Sequence, residues 1–152
     1  MAGNATTIKI SGGDQMDETL RALRDNAENA SVVDVGFLED AKYPDGTQVA
    51  SVAFWNEYGT RRAPARPFFR DMIADKSPEW PRAISNLLVQ NNYDAEKTLN
   101  IVGEAVAGQL AQSIYDFDRV PLAPSTIAAK GFDKQLIDSG QMVNSIRHEV
   151  KK

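Results

Sequence analysis

One long amphipathic helix constrains the fold of this chain more than any other feature of its sequence. Apolar side chains recur at helical spacing along one face: Leu99, Val102, Val106, Leu110, Ile114 and Phe117. Asp94 stands just before this stripe, where a carboxylate can cap the first free backbone N–H groups. Gly103 and Gly108 each weaken such a helix, so we expect a close backbone approach at both positions. A helix with one apolar face must pack against other elements.

Short strands are predicted on both sides of that helix. Ser31–Leu38 is rich in β-branched residues, and Ser145–Val150 alternates between apolar and polar side chains. Thr6–Ile10 forms a third, short β-like run, and residues 43–46 (YPDG) have turn chemistry. The sequence therefore predicts an α+β fold, in which a small, mostly antiparallel sheet is packed by the long helix and by shorter helices.

The shorter helices are predicted from their caps and their apolar spacing. Asp14 is expected to cap a helix whose apolar positions are Met16, Leu20, Leu23 and Ala27. Residues 47–58 suit either a strand or a helix capped by Thr47; the alanines and Gly59 favour the helix. Further helical turns are predicted at 68–75, at 138–143, and after a Ser77 cap, where a helix would bury Trp80, Ile84, Leu87 and Leu88.

Composition limits the classes of protein to which the chain can belong. At 152 residues we expect a single domain, residues 1–152, with residues 1–5 disordered. The absence of cysteine excludes disulfides and thiolate metal sites. A net charge of −4 argues against general nucleic-acid binding, which needs a basic surface. No basic region followed by an apolar one marks a signal peptide, and no run is long enough to span a bilayer.

Residues 53–70 (AFWNEYGTRRAPARPFFR) have the composition of a contact surface. Tyr, Trp and Arg carry much of the binding energy of protein interfaces, and two prolines stiffen the segment. The residues predicted to contact a neighbouring subunit or ring are Trp55, Glu57, Tyr58, Arg61, Arg62, Arg66, Phe68, Phe69 and Arg70. The alternative is that the arginines are exposed loop charges and that Phe68 and Phe69 are core anchors.

A second contact surface is predicted in the long loop from residue 118 to residue 137. Structureless connections of this length are uncommon and usually functional, or they become ordered on binding. The candidate residues of this assembly loop are Pro121, Pro124, Thr126 and Lys130. Two different surfaces are what head-to-tail ring closure requires.

Catalytic and metal-binding patterns are missing from the sequence. His148 is the single histidine and has no partner at metal-binding spacing, so we expect a solvated strand residue. Ser139 lacks a nucleophile elbow, and Glu39, Asp40 and Asp45 lack calcium-loop spacing. We therefore predict no catalytic, cofactor or metal site. A small cytosolic hydrolase is the remote alternative, and it would need a polar pocket with a perturbed acid or base.

Three segments together resemble one family. Val33–Gly36, residues 43–46 (YPDG) and residues 53–60 (AFWNEYGT) resemble the opening motif of tailed-phage morphogenesis proteins, and residues 64–70 (PARPFFR) resemble their central signature. Residues 124–127, 130–131, 136–142 and 145–146 are similar to their C-terminal motif. Ser139 stands where threonine is usual in that motif, and Gln135 where proline is frequent.

The resemblance implies a head–tail joining or tail completion protein of long-tailed bacteriophages. Such a virion protein is made in the host bacterial cytoplasm and forms a ring at the phage neck, without catalysis or cofactor. The implied partners are sister copies in a hexamer or in a ring matching the connector's symmetry, the tail-tube or tail-terminator protein, and the head-connector (stopper) protein. DNA would be only passing cargo in the channel, and no membrane is involved. The alternative is a tail terminator or head-closure (stopper) ring protein of the same virion.

Overall fold

The computed structural model describes residues 12–38 and 40–152, and it has the predicted α+β architecture. The helices are α1 (Gly13–Ala27), α2 (Val49–Tyr58), α3 (Phe68–Lys76), α4 (Trp80–Gln90), α5 (Ala95–Asp116), α6 (Pro124–Lys130) and α7 (Gln141–Asn144). Strands β1 (Val32–Phe37) and β2 (Ile146–Lys151) pair antiparallel, with Val32 opposite Lys151 and Phe37 opposite Ile146. The predicted strand Thr6–Ile10 and the expected disorder of residues 1–5 lie outside the described residues.

Helix α5 begins where its sequence predicts. The Asp94 carboxylate accepts a hydrogen bond from the backbone N–H of Lys97 at 3.0 Å and another from the Asn29 side-chain amide at 3.0 Å. The backbone hydrogen bond, followed by the one from Asn29, holds the pKa of Asp94 below its ordinary value. The carboxylate therefore stays ionised as a cap, next to the positive end of the helix dipole.

The two-stranded sheet lies across α5, and a glycine marks the crossing. A Cβ atom added at Gly103 would come within 2.7 Å of the His148 ring and 2.8 Å of the Val33 side chain. The close approach predicted at Gly103 is thus confirmed, whereas at Gly108 a Cβ would meet nothing within 4 Å. His148 lies in a strand as predicted, but it is only partly solvated, because its half-buried ring packs on α5 and lies 3.3 Å from the Asn100 side-chain oxygen.

The two glycines of α5 should respond to alanine in opposite directions. Gly103→Ala is expected to lower the free energy of unfolding by about 1–3 kcal/mol, because it forces β2 away from the helix. Gly108→Ala adds a methyl group to open space on an exposed helix position and is expected to stabilise by about 0.5–1 kcal/mol. Urea unfolding of both variants tests the pair. A stabilising Gly103→Ala would contradict the tight crossing.

The core lies between α2, α3, the second half of α5 and the C-terminal segment. Its buried apolar side chains are Val49, Ala53, Phe68, Met72, Leu110, Ile114, Phe117, Leu136, Met142 and Ile146. The end of α5 therefore does what its apolar stripe predicts. Helix α4 contributes less than expected: none of its residues is buried, although the half-buried Trp80 indole donates to the Gln109 side chain at 3.0 Å.

Several predicted helix caps are wrong. Asp14 lies in the first turn of α1, which begins after Gly12, and Thr47 lies one residue before Gln48, the N-cap of α2. Ser77 belongs to a short 3-10 turn (Ser77–Glu79) that leads into α4. At the N-terminus of each of these helices, no side chain caps the free backbone N–H groups.

The 118–137 segment and helix α1 each differ from prediction, the first in its secondary structure and the second in its burial. The 118–137 loop is not structureless, because Pro124 begins the short helix α6 and Gly131 ends it with a positive φ of 78°. Helix α1 has the predicted apolar spacing, yet no residue in it is buried, and Met16 is 66% exposed. Of its other apolar positions, Leu23 is half-buried and Leu20 is 57% exposed, so the contact of α1 with α5 covers this side only in part.

Candidate subunit interface

Helix α2 and the arm that follows it are folded into one rigid unit. Gly59 ends the helix with a φ of 78°, and a Cβ there would come within 2.8 Å of the backbone nitrogen of Ala65. The arm, residues 59–67, can turn back against α2 because glycine occupies this position. The Thr60 hydroxyl accepts from the backbone N–H groups of Arg62 and Ala63, which fixes the turn.

Glu57 fastens α2 to α3. Its carboxylate accepts hydrogen bonds from the backbone N–H of Phe69 at 2.9 Å and of Arg70 at 3.1 Å. The same carboxylate accepts a hydrogen bond from the Arg70 Nε–H at 2.6 Å. The Arg70 side chain also donates a hydrogen bond to the Glu57 backbone carbonyl at 3.1 Å. Pro67, the N-cap of α3, provides no side-chain hydrogen bond. Glu57 therefore caps α3 from a different helix.

Three predicted interface residues are buried in the subunit, namely Glu57, Phe68 and, as described below, Arg66. Glu57 is 5% exposed and Phe68 is 1% exposed. The prediction that these two contact a neighbouring subunit is wrong in this conformation; the core-anchor alternative holds for Phe68. Phe69 is half-buried, with its ring set edge-on to that of Phe68. These residues form the inner side of the segment, beneath the exposed aromatic side chains described next.

An aromatic face, formed by Phe54, Tyr58 and Arg70, lies above them. The rings of Phe54 and Tyr58 are 4.7 Å apart, and the Arg70 guanidinium lies over the Tyr58 ring at 4.8 Å. Phe54 and Tyr58 are nonetheless 60% and 54% exposed. Phe54 was missing from the predicted site. Its spacing of four residues from Tyr58 is the signal that places both rings on one side of a helix.

Trp55 is 49% exposed and lies between the aromatic face and the opposite side of α2, about 60° around the helix from Tyr58. Together with Val52 and Asn56 it forms one wall of a cleft of about 580 Å³, whose other wall is the segment 135–142. At about 100° per residue, Val52 and Asn56 point away from the side that carries Phe54 and Tyr58. Helix α2 therefore exposes aromatic side chains on two different surfaces.

The two predicted contact surfaces meet across a second cleft, which we name the basic cleft. It measures about 670 Å³ and is lined by Arg62, Ala63, Pro64 and Arg66 on one side. The facing side is the assembly loop, with further lining residues Pro121, Leu122, Ala123, Thr126, Lys130, Gln135 and Asp138. The expectation of two separate surfaces is thereby corrected: the arginine arm and the assembly loop form a single one.

The remaining predicted residues differ in exposure, although Arg62, Arg66 and Lys130 all line the basic cleft. Arg61 and Arg62 are exposed, whereas Arg66 is 8% exposed, so only its neighbours are open to solvent. Pro124 is exposed at the start of α6, and Lys130 near its end lies over the Phe132 ring at 4.8 Å. Sequence reasoning therefore did not separate the inner residues of these segments from the outer ones.

Neither a metal centre nor a spanning helix emerges from the part of the chain that the structure describes. Within residues 12–38 and 40–152, no group of three or more His, Cys, Asp or Glu side chains is placed to hold a metal ion. No helix in the same ranges combines the length and the apolar character needed to cross a membrane. Comparisons with protein-family models, curated proteins and solved structures found no match for this chain.

Proposed function

We propose that this protein is a structural subunit that assembles head-to-tail into a ring, and that the ring completes a phage tail and joins it to the head. The neck location comes from the motif resemblance of residues 31–150. The contact surfaces of the subunit support the assembly role. A single observation carries the proposal: exposed aromatic side chains are fixed on a helix that an inner carboxylate holds in place.

Exposed aromatic side chains fixed in this way are typical of an interface. Phe54, Trp55 and Tyr58 are each about half exposed or more. Exposed apolar clusters are costly in water and mark interaction sites when they are contiguous. Because Glu57 and Arg70 fix the orientation of α2 relative to α3, little side-chain or loop entropy would be lost on association. The aromatic face is thus preorganised for a partner.

The two sides of α2 provide the asymmetry that a ring needs. Head-to-tail closure requires two different, complementary patches on each subunit. The aromatic face lies on one side of α2, Asn56 and the basic cleft lie on the other, and Trp55 lies between the two sides. We propose that these two sides are the two ends of the head-to-tail contact. This arrangement replaces the pairing of the arm with the assembly loop, because both segments line the same cleft.

A pair of tyrosine variants tests the ring contact. Tyr58→Ala is expected to weaken self-association at least tenfold, because an aromatic anchor at an interface contributes about 1–2 kcal/mol or more. Tyr115→Ala is the matched control, since Tyr115 is 44% exposed on α5 and lines neither the aromatic face nor the basic cleft. Mass photometry over a concentration series measures the oligomer population. Equal weakening by both variants, or no ring in the wild type with tail and head components present, would contradict the proposal.

The layer of the neck that the ring occupies is tested separately. Gold-labelled copies of the protein are added to isolated tails and to DNA-filled heads, and binding is located by electron microscopy. A tail completion subunit is expected on the head-proximal tip of tails and to be required for joining. Binding only to filled heads would instead favour the head-closure alternative. Arg62→Glu suits this assay as a charge reversal because Arg62 is exposed, whereas a reversal at the buried Arg66 would also disturb folding.

A further inference from the structure

The basic cleft contains a buried cation without a described partner. Arg66 is only 8% exposed, and its Nε has no hydrogen-bond partner among residues 12–38 and 40–152. Its backbone is fixed: the N–H donates to the Asn56 carbonyl at 2.6 Å, and its carbonyl accepts from the Phe68 N–H at 2.8 Å. An arginine stays charged under all ordinary conditions, and a buried, unpaired guanidinium is costly. The buried Nε–H of Arg66 therefore lacks a described acceptor, and its residue lines a recess in the surface.

The charges around the cleft have the same sign as Arg66. Arg62 lies on the same wall, and Lys130 lies on the facing wall. The Lys130 ammonium is held in place by the Lys134 carbonyl and by the Phe132 ring. Asp138 is the single acidic residue in the lining. Three cations against one carboxylate create a positive field inside a recess, where water screens it less than on an open surface.

We propose that the basic cleft binds the carboxylate of an aspartate or glutamate side chain presented by another protein chain. The planar guanidinium of Arg66 has N–H donors spaced to bind the two oxygens of a carboxylate. Arg62 and Lys130 add positive charge to the walls of the cleft. The walls between the cations are formed by Pro64, Pro121 and Ala123 together with other small or apolar side chains, which suit the stem of an extended peptide. The basic cleft lies on one of the two sides of α2 proposed for the ring contact, but its cations and the burial of Arg66 define the site in the subunit alone.

A nucleic-acid phosphate fits the same cleft less well. Duplex phosphates are bound by arrays of exposed cations, and the strength of that binding follows the number of contacts. Here the central cation is recessed, Asp138 lies in the lining, and the chain carries a net charge of −4. Repulsion from the whole subunit would oppose the approach of a polyanion, whereas a single carboxylate side chain meets only the local positive field.

Side-chain NMR of the arginine Nε–H groups tests the proposal on the full chain. The probe is acetyl-Ala-Glu-Ala-amide, and its uncharged control is acetyl-Ala-Gln-Ala-amide. Arg66→Lys identifies the Arg66 signal by deleting it. The glutamate peptide is expected to shift that signal saturably, and the glutamine peptide is expected to leave it unmoved. Arg62→Ala should weaken binding about fivefold, and Asp138→Asn should tighten it about threefold to fivefold, as expected for loss of one nearby charge.

Several outcomes would overturn the carboxylate assignment. Equal shifts with the glutamate and the glutamine peptide would show that no charge is recognised. Tighter binding of inorganic phosphate, or of a short DNA duplex, than of the glutamate peptide would assign the cleft to phosphate. An unchanged affinity in Asp138→Asn and Arg62→Ala would place the peptide elsewhere. Because all readings come from the subunit alone, they stand whether or not the protein forms a ring.

Discussion

Replacing Phe68 with alanine is expected to lower the free energy of unfolding by about 3–5 kcal/mol, the cost of deleting a large buried aromatic side chain. The Phe68 ring is 1% exposed and lies edge-on to Phe37 and Phe69, at 6.4 and 6.3 Å between ring centres. The backbone carbonyl of Phe68 also accepts a hydrogen bond from the Ser113 hydroxyl at 2.6 Å, which joins α3 to α5. Loss of the ring therefore leaves a cavity where three elements meet.

Phe54→Ala is the matched control for this variant. It removes the same side chain from a position that is 60% exposed, so its effect on unfolding is expected to stay within about 0.5 kcal/mol. Guanidinium unfolding followed by tryptophan fluorescence measures both variants. Similar losses in the two would contradict the division of this segment into an inner and an outer side. The same Phe54→Ala variant is expected to weaken self-association, which Phe68→Ala should affect only through folding.

The sequence was most informative where one physical rule acts alone. A 3.6-residue period, a carboxylate cap and a β-branched run located α5, Asp94 and the two strands, because each depends on neighbours in the chain. Gly59 was recognised as a helix end for the same reason. Whether an aromatic residue faces inward or outward depends on the partner element, which no local rule supplies. Phe68 and Phe54 therefore could not be told apart by type.

Long-range pairing explains the other differences. The cap of α3 comes from Glu57, on another helix, so no cap signal near Pro67 could reveal it. The arm and the assembly loop are separated along the chain by α3, α4 and α5, yet they face each other across the basic cleft. Proline and glycine content correctly marked 118–137 as irregular, but it concealed the helical turns of α6, where Pro124 occupies a favoured first position.

Glu57→Ala is expected to lower the free energy of unfolding by about 2–4 kcal/mol, although Glu57 is a charged residue and not part of the apolar core. The carboxylate is 7% exposed and accepts from two backbone N–H groups of α3 and from Arg70 Nε. Alanine would leave these donors without an acceptor in a part-buried site. Glu57→Gln keeps one carbonyl oxygen, so about half of the lost stability should return. Urea unfolding measures all three proteins.

Arg70→Ala separates the cap from the ion pair. The Arg70 side chain is 52% exposed, so its pairing with Glu57 is screened by water and its loss is expected to cost only about 0.5–1 kcal/mol. If Arg70→Ala were as damaging as Glu57→Ala, the ion pair and not the helix cap would be the stabilising element. If Arg70→Ala is less destabilising than Glu57→Ala, as expected, the variant stays folded and lacks only the cation above Tyr58. Its self-association then reports on the aromatic face alone, because the cap beneath that face is still in place.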